Sequence, residues 1–396
     1  MNTPAVTTFS FPTTIDFGVG AVDRLGQRIA ELGASRPLVV TDAGLVNTEA
    51  FAQVRRALDD ARRQFAVFSG VEPNPTDEHV EAGASALKYD DCDIIVAVGG
   101  GSAIDVGKAI RLRSTHAAPL ITYDDARDGA SRIRSEMPPM IALPTTAGTG
   151  SEVGRSAVIT IGEVARKVVI CSPHLMPNVA ICDPALTVGL PPHLTASTGM
   201  DALSHNLEAV AAVGYHPMCD AIGLQGIALV AANLRQAVAD GKDLIARHHM
   251  LMASMMGAIA FQKGLGATHS LAHPLGTELN MQHGLANALV LPHVVRFNRD
   301  AAREAYLRAA HYFRPPRPGT GASEGTGSDE AIDAFIAAIE QLRSDIGLPA
   351  SLSAAGVSRE GLPDLADKAY EDGCHALNPR KCTRDDLLGL YEAAYG

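Results

Sequence analysis

Asp93-Ile94-Ile95-Val96-Ala97-Val98-Gly99-Gly100-Gly101-Ser102 decides the fold class of this chain. An apolar, β-branched run that passes directly into three glycines reads as a buried strand ending in a tight turn. A helix opening at Ser102 then presents bare backbone N–H groups and the positive end of its dipole to whatever lies above it, which makes a phosphate seat. Ser102 with Asp105 three residues later also approximates a capping box, so the same residues read as a well-capped helix. The stretch is not G-x-G-x-x-G, because Ile104 stands where the third glycine would be, and it lacks the G-K-[ST] ending of a P-loop.

The pattern repeats upstream. Pro37–Asp42 reads as a buried strand, 48–63 as a helix, 64–68 as a second strand and 76–89 as a second helix. Strand and helix alternating at this spacing predict an α/β domain with a parallel sheet. Asp42 closes the first of these strands, where a carboxylate accepts from a ribose diol and repels a 2′-phosphate, which leans toward NAD over NADP; Asp also caps turns without any ligand. Downstream, Ile141-Ala142-Leu143 reads as a strand entering Pro144-Thr145-Thr146-Ala147-Gly148-Thr149-Gly150-Ser151-Glu152, small and hydroxylated residues over which a ligand can approach the backbone. Val158–Ile161 and Lys167–Cys171 read as a hairpin around Gly162-Glu163, with Lys167 either solvated or touching a cofactor.

Strand signals stop after Asp183-Pro184 and the Gly189-Leu190-Pro191-Pro192 break, and helical pattern takes over. This sets a domain boundary near residue 190, giving domains 1–190 and 191–396. The run 314–328, rich in Pro, Gly, Ser and Thr, reads as a surface connection. The helical half carries Gly199-Met200-Asp201-Ala202-Leu203-Ser204-His205 and Gly266-Ala267-Thr268-His269-Ser270-Leu271-Ala272-His273, followed by His283-Gly284. On helices, Asp201 and His205 share a face, as do His269 and His273. A divalent transition metal takes three or four convergent nitrogen and oxygen donors, and imidazole with carboxylate suits Fe or Zn. Spacing does not select which histidine stays out, and a lone helix-face histidine in a chain with 14 of them needs no ion.

With 396 residues there is material for two or three domains, and 46% apolar with 19% charged residues is a globular composition. A net charge of -11 argues against nucleic acid or an anionic membrane as the main partner and leaves small molecules. The first residues show no basic stretch leading into an apolar one, and no apolar run is expected to span a bilayer. Six scattered cysteines without C-x-x-C spacing fit reduced thiols and a cytoplasmic location.

Taken together, these residues resemble the iron-containing alcohol dehydrogenase family. The resemblance rests on Gly99-Gly100-Gly101-Ser102 with Asp105, the Pro144–Glu152 run, Thr198-Gly199-Met200-Asp201-Ala202 with His205, and the His269, His273, His283-Gly284 series, in that order along the chain. It implies an N-terminal Rossmann-like α/β domain, an all-helical C-terminal domain as in the dehydroquinate synthase-like fold, and an active site in the cleft between them. It implies Asp201, His205, His269 and His283 as metal ligands and leaves His273 for proton relay. Asp42, the Gly99–Ser102 turn with Asp105, Thr145, Thr146 and Lys167 map onto cofactor-contacting positions. The implied cofactors are NAD(H) and Fe2+, with Zn2+ equally compatible on ligand type. Relatives of this kind are commonly dimers or larger.

Within the family the chain is similar to NAD-dependent 4-hydroxybutyrate dehydrogenases, through Leu120-Ile121-Thr122-Tyr123, Gly257–Gly266 and Asp372-Gly373-Cys374-His375 with Asn378-Pro379. That similarity implies a small, anionic aldehyde or alcohol substrate, with Lys263 holding the far carboxylate of an ω-hydroxy acid. Lys263 also reads as an ordinary lysine at a helix end. Rival readings are the same chemistry on a phosphonate, a sulfonate or a neutral diol, a dehydroquinate-synthase-like cyclase, and a nucleotide-binding protein with a structural metal. The cyclase would need a basic cluster around its substrate, for which only Lys263, Arg380 and Lys381 are at hand.

Overall fold

The computed structural model describes residues 11, 13–164, 166–313 and 329–396. The surface connection expected at 314–328 lies outside the described residues. The chain divides into two compact units, one of Pro12–Thr146 with Gly150–Leu190, the other containing Ala147–Thr149 and Pro191–Gly396.

The first unit runs β1 (Thr14–Phe17), α1 (Leu25–Glu31), β2 (Pro37–Asp42), α2 (Glu49–Asp60), β3 (Ala66–Val71), α3 (Asp77–Tyr89), β4 (Ile94–Gly99), α4 (Gly101–Thr115), β5 (Met140–Pro144), β6 (Ser156–Ile161), β7 (Arg166–Cys171) and β8 (Val179–Cys182). Six strands form one sheet in the order β1-β8-β5-β4-β2-β3, and every pairing in it is parallel. Side chains alternate across a strand, so the continuous apolar runs serve both faces. Leu38, Val40, Ile95, Ala97 and Met140 pack with Val80, Leu87, Ile104 and Ile110 from α3 and α4. Val39, Ile94, Val96, Val98 and Ile141 pack with Leu25, Ile29, Phe51 and Leu58 from α1 and α2. Each aliphatic side chain so buried contributes about 1.5–3 kcal/mol, which is why the central strands were legible as unbroken apolar runs.

The outer strands β1 and β8 escaped the sequence reading. Each has four residues, too short for periodicity to register, and they become strands by pairing with each other and, for β8, with β5. At this edge Asp16, 5% exposed, accepts from Arg28 at 2.7 Å through Nε and Nη2 and from Arg24 at 2.7 Å. The hairpin expected near Gly162 is the antiparallel β6–β7 pair. The chain steps from β2 outward to β3, then back past β2 to β4 and on to β5. The carboxyl ends of β2 and β4 therefore flank the point where strand order reverses, where open α/β sheets bind ligands.

The second unit is helical: α5 (Pro192–Ala211), α6 (Pro217–Ala239), α7 (Leu244–Ala260), α8 (Ala267–Leu279), α9 (His283–Phe297), α10 (Arg303–Tyr312), α11 (Asp329–Asp345), α12 (Leu362–Glu371) and α13 (Arg384–Tyr395). Helix α5 is buried on nearly all sides from Thr195 to Ala211, so it is the axis against which α6, α7 and α9 pack. Two helices, Pro217–Ala239 and Leu244–Lys263, are long and apolar enough to cross a membrane, a correction to the expectation that no such run exists. Of their apolar windows 44% and 56% are buried inside the protein, and a core helix passes the same test of length and composition.

Candidate active site

The nucleotide candidates line up along the carboxyl ends of β2, β4 and β5. Asp42 ends β2, and its Oδ1 accepts from Leu45 N at 2.9 Å, so it both closes the strand and shapes the turn. Gly99 ends β4 at φ +152, a backbone geometry that disfavours any side chain, and a Cβ there would stand 2.7 Å from the Ala103 Cβ. A Cβ on Gly100 would meet Thr146 Cγ2 at 3.3 Å. Thr145 N donates to Gly99 O at 3.0 Å, which ties the loop after β5 to the glycine turn. The turn is thus bare backbone at the start of α4, shaped to admit a phosphate.

Two expectations about this turn are corrected. The N-cap of α4 is Gly100, not Ser102, and the Ser102 hydroxyl donates instead to Pro73 O at 2.8 Å. Asp105 neither caps the helix nor faces outward. Its Oδ1 accepts from Ser151 Oγ at 2.6 Å and its Oδ2 from Val158 N at 3.0 Å. Lys108, fully buried one turn on, donates to Ser151 O, Ser151 Oγ and Ser156 O at 2.8 Å each. Burial lowers the Lys108 ammonium to about 8, against the pull of Asp105 and Glu152. This pair of buried charges holds the start of β6, and both Asp105 oxygens are committed to the chain. Lys167 stands on β7 opposite Thr160; burial pulls its ammonium down while Asp105 pulls it up.

In the helical unit the expected pairs do lie on helices: Asp201 and His205 on α5, His269 and His273 on α8, with His283 opening α9. Nε2 of His205, His269 and His283 lies 3.8, 3.9 and 3.5 Å from Asp201 Oδ1. The donor atoms of these four residues all fall within 4.8 Å of one another. Burial carries His269 and His283 well below the ordinary imidazole range. Burial would raise Asp201, but His205, His283 and His269 together hold it below the usual carboxylate range. A divalent cation requires deprotonated donors, and the shifts of His269, His283 and Asp201 all run in that direction.

The donor set itself fits a metal. Four lone-pair groups cluster, and three of them meet the Asn287 amide, whose Nδ2 lies 2.8 Å from Asp201 Oδ1 and 3.4 and 3.3 Å from Nε2 of His269 and His283. Two of the imidazoles have a partner at the far nitrogen: His205 Nδ1 faces Gly148 O at 3.3 Å, and His269 Nδ1 faces Glu208 Oε2 at 2.5 Å. Such outer partners leave Nε2 with the lone pair. Burial pushes Glu208 up to about 7.

His273 takes a different neighbour. Its Nδ1 lies 2.7 Å from Asp372 Oδ2, while Asp372 Oδ1 accepts from Ser270 Oγ at 2.7 Å and Cys374 N at 2.8 Å. Burial works against the Asp372 charge, yet the bond and charge of His273 hold its carboxyl well below the usual range. His273 stacks on His283, with ring centroids 5.4 Å apart. A carboxylate that fixes one imidazole nitrogen and leaves the other for chemistry is the geometry of a proton-transfer pair.

Lys263 requires correction. Its Nζ donates to Asp220 Oδ1 at 2.6 Å and to Val210 O at 3.1 Å, and its side chain is 5% exposed. The ammonium is tied into the helical unit through Asp220, a carboxylate that Arg308 also approaches at 3.5 Å, and does not stand loose at a helix end. Sequence reasoning missed Glu208, Asn287 and the role of Asp372. Glu208 follows His205 by three residues and Asn287 follows His283 by four, so helical spacing alone could have flagged both. No local signal pairs Asp372 with His273.

A parallel sheet with a glycine turn at its switch point, in a chain whose helical unit gathers an acid and imidazoles, defines the class of nucleotide-linked, metal-dependent oxidoreductases. The chain belongs to the iron-containing alcohol dehydrogenase family: residues 12–184 match the iron-containing alcohol dehydrogenase model and residues 195–395 the C-terminal model of the same family. It is 40% identical over 387 residues to the 1,3-propanediol dehydrogenase of Klebsiella pneumoniae, covering 97% of each chain. It is likewise 40% identical over 392 residues to the 4-hydroxybutyrate dehydrogenase of Cupriavidus necator, covering 96% of this chain and 97% of that one. The crystal structure of sulfoacetaldehyde reductase from Bifidobacterium kashiwanohense in complex with NAD+ superposes with a TM-score of 0.87 at 31% identity, covering 98% of this chain and 99% of that one. The protein is accordingly an oxidoreductase acting on CH–OH groups.

Proposed function

We propose that the protein interconverts a short primary ω-functionalised alcohol and its aldehyde, using NAD(H) and a divalent metal, Fe2+, held by Asp201, His205, His269 and His283. The observation that carries this is the convergence of three imidazole Nε2 atoms on one buried carboxylate. When bound there, the cation supplies Lewis acidity toward the alcohol or carbonyl oxygen, and the nicotinamide accepts or gives the hydride. The residues do the rest. Asp201 contributes the one negative charge and the histidines neutral donors, so a divalent cation held by them would retain a net positive charge.

Asp372 holds His273 through Nδ1, which leaves Nε2 as the atom that takes the alcohol proton and returns it in the reverse direction. Asp42, Gly99, Gly100, Gly101, Ser102, Thr145 and Thr146 seat the dinucleotide, the glycine turn under its phosphates and Asp42 at the ribose. A carboxylate there favours NAD(H) over the phosphorylated cofactor.

For the substrate the reading is 4-hydroxybutyrate and its aldehyde, succinic semialdehyde. The likeness to the Cupriavidus relative supports it, and sulfoacetaldehyde reductase is a second relative named for an anionic aldehyde. The equal identity to the Klebsiella relative favours a neutral 1,3-diol as the second reading. Comparing kcat/KM of the iron-loaded enzyme for succinic semialdehyde and 3-hydroxypropanal, with NADH and with NADPH, tests both. The expected result is a preference for the anionic aldehyde and for NADH; preference for the hydroxyaldehyde makes the diol the substrate, and activity with neither overturns both substrate readings.

A further inference from the structure

Behind the His269 imidazole lies a carboxylate that takes no part in the reaction above. Glu208 follows Asp201 by seven residues and His205 by three, which places it on the same face of α5, and its side chain is 6% exposed. It meets two groups of α8. Its Oε2 is 2.5 Å from His269 Nδ1, and its Oε1 accepts from Thr268 N at 2.7 Å.

The second contact fills a need of the backbone. The first N–H groups of a helix have no partner within it, and the N-cap of α8 is Gly266, which brings no side chain. Asn378 Oδ1 takes Ala267 N at 3.2 Å, and Glu208 takes Thr268 N. A Cβ on Gly266 would stand 2.9 Å from Glu208 Oε1, so bare backbone is what lets the carboxylate in.

Thr268 N–H can only donate, and His269 must donate from Nδ1 if its Nε2 is to keep the lone pair a cation takes, so in the metal-ready arrangement Glu208 accepts with both oxygens. An ionised carboxylate does this; an amide of equal shape does not, because its NH2 would confront either Thr268 N–H or His269 Nδ1–H. We propose that Glu208 is the positioning residue of the metal centre: by accepting the His269 Nδ1 proton it fixes the tautomer and ring angle that aim Nε2 at Asp201. This rests on the metal reading of the four-residue cluster. His205 has a backbone carbonyl at 3.3 Å for the same purpose, so the Glu208 contact is the shorter of the two and the charged one.

The test uses the full-length, metal-stripped protein titrated with Co2+, whose visible d–d absorption reports its coordination, in competition with a chelator. Glu208→Gln is expected to lower Co2+ affinity about 10- to 100-fold. Glu208→Asp keeps an acceptor but withdraws it by one methylene, and is expected to lose about threefold or more, which keeps the test open should the Gln variant not fold. Asn378→Ala removes the other cap of α8 without touching Glu208, and is expected to lower the thermal midpoint of the metal-free protein while leaving Co2+ affinity near that of the wild type. Wild-type affinity in either Glu208 variant overturns the proposal. So does an equal loss in Asn378→Ala, because the effect would then come from capping α8. A wild-type protein that develops no Co2+ spectrum overturns the metal reading itself, and this assignment with it.

Discussion

At His273 the Nδ1 nitrogen is engaged by Asp372, so in the proposed reaction Nε2 is the atom that handles the substrate proton. Asp372→Asn turns an NH2 toward either His273 Nδ1–H or the Ser270 and Cys374 donors, and so unsettles the tautomer. The expected outcome is a fall in kcat of about 100-fold, the lower end of what a positioned acid or base contributes, with the KM for NADH unchanged. Steady-state kinetics at saturating NADH check it, and an unchanged kcat would remove the pair from proton transfer. Lys263 teaches the converse lesson. In the sequence it is a cation near the metal motifs, yet after folding its Nζ lies 2.6 Å from Asp220, a carboxylate it shares with Arg308. The type of a charged residue is legible in one dimension; its partner is not.

Elements bring these residues into range through close backbone approach. Helix α9 opens at His283, and a Cβ on Gly284 would stand 2.1 Å from Ser197 O and 2.6 Å from Ser197 C on α5. Those atoms are backbone and cannot step aside, so Gly284→Ala must push α9 off α5 and carry His283 away from Asp201. The expected cost is about 1–3 kcal/mol of stability, with less metal retained per chain. Urea unfolding and metal analysis check this, with Gly189→Ala, where nothing lies within 4 Å, as the neutral comparison. A variant retaining full metal would show that α9 can shift without moving His283. At the same scale, the sheet's central strands were readable because both faces are buried, whereas β1 and β8 depend on a partner for their identity.

For the whole molecule, the ligand candidates come from α5, α8 and α9, so a bound cation would cross-link three helices of one unit. A ligand that binds only the folded state stabilises it by about 2.7 kcal/mol when free metal is 100 times its dissociation constant. Chelation is therefore expected to lower the thermal midpoint and abolish aldehyde reduction together, and readded Fe2+ or Zn2+ to restore both. A midpoint indifferent to metal would separate the cluster from any resident ion. Alternation of apolar runs, a strand entering three glycines, and acid and imidazole four residues apart are all local patterns with fixed geometric meaning. They were enough to place the α/β half and the helical half, while the family rested on the resemblance of the ordered motifs. Contacts between distant segments carry no such local mark. Folding alone put three Nε2 atoms around Asp201 and gave His273 to Asp372, Lys263 to Asp220 and Thr268 N to Glu208, because each of those partners is chosen by packing in space and not by spacing along the chain.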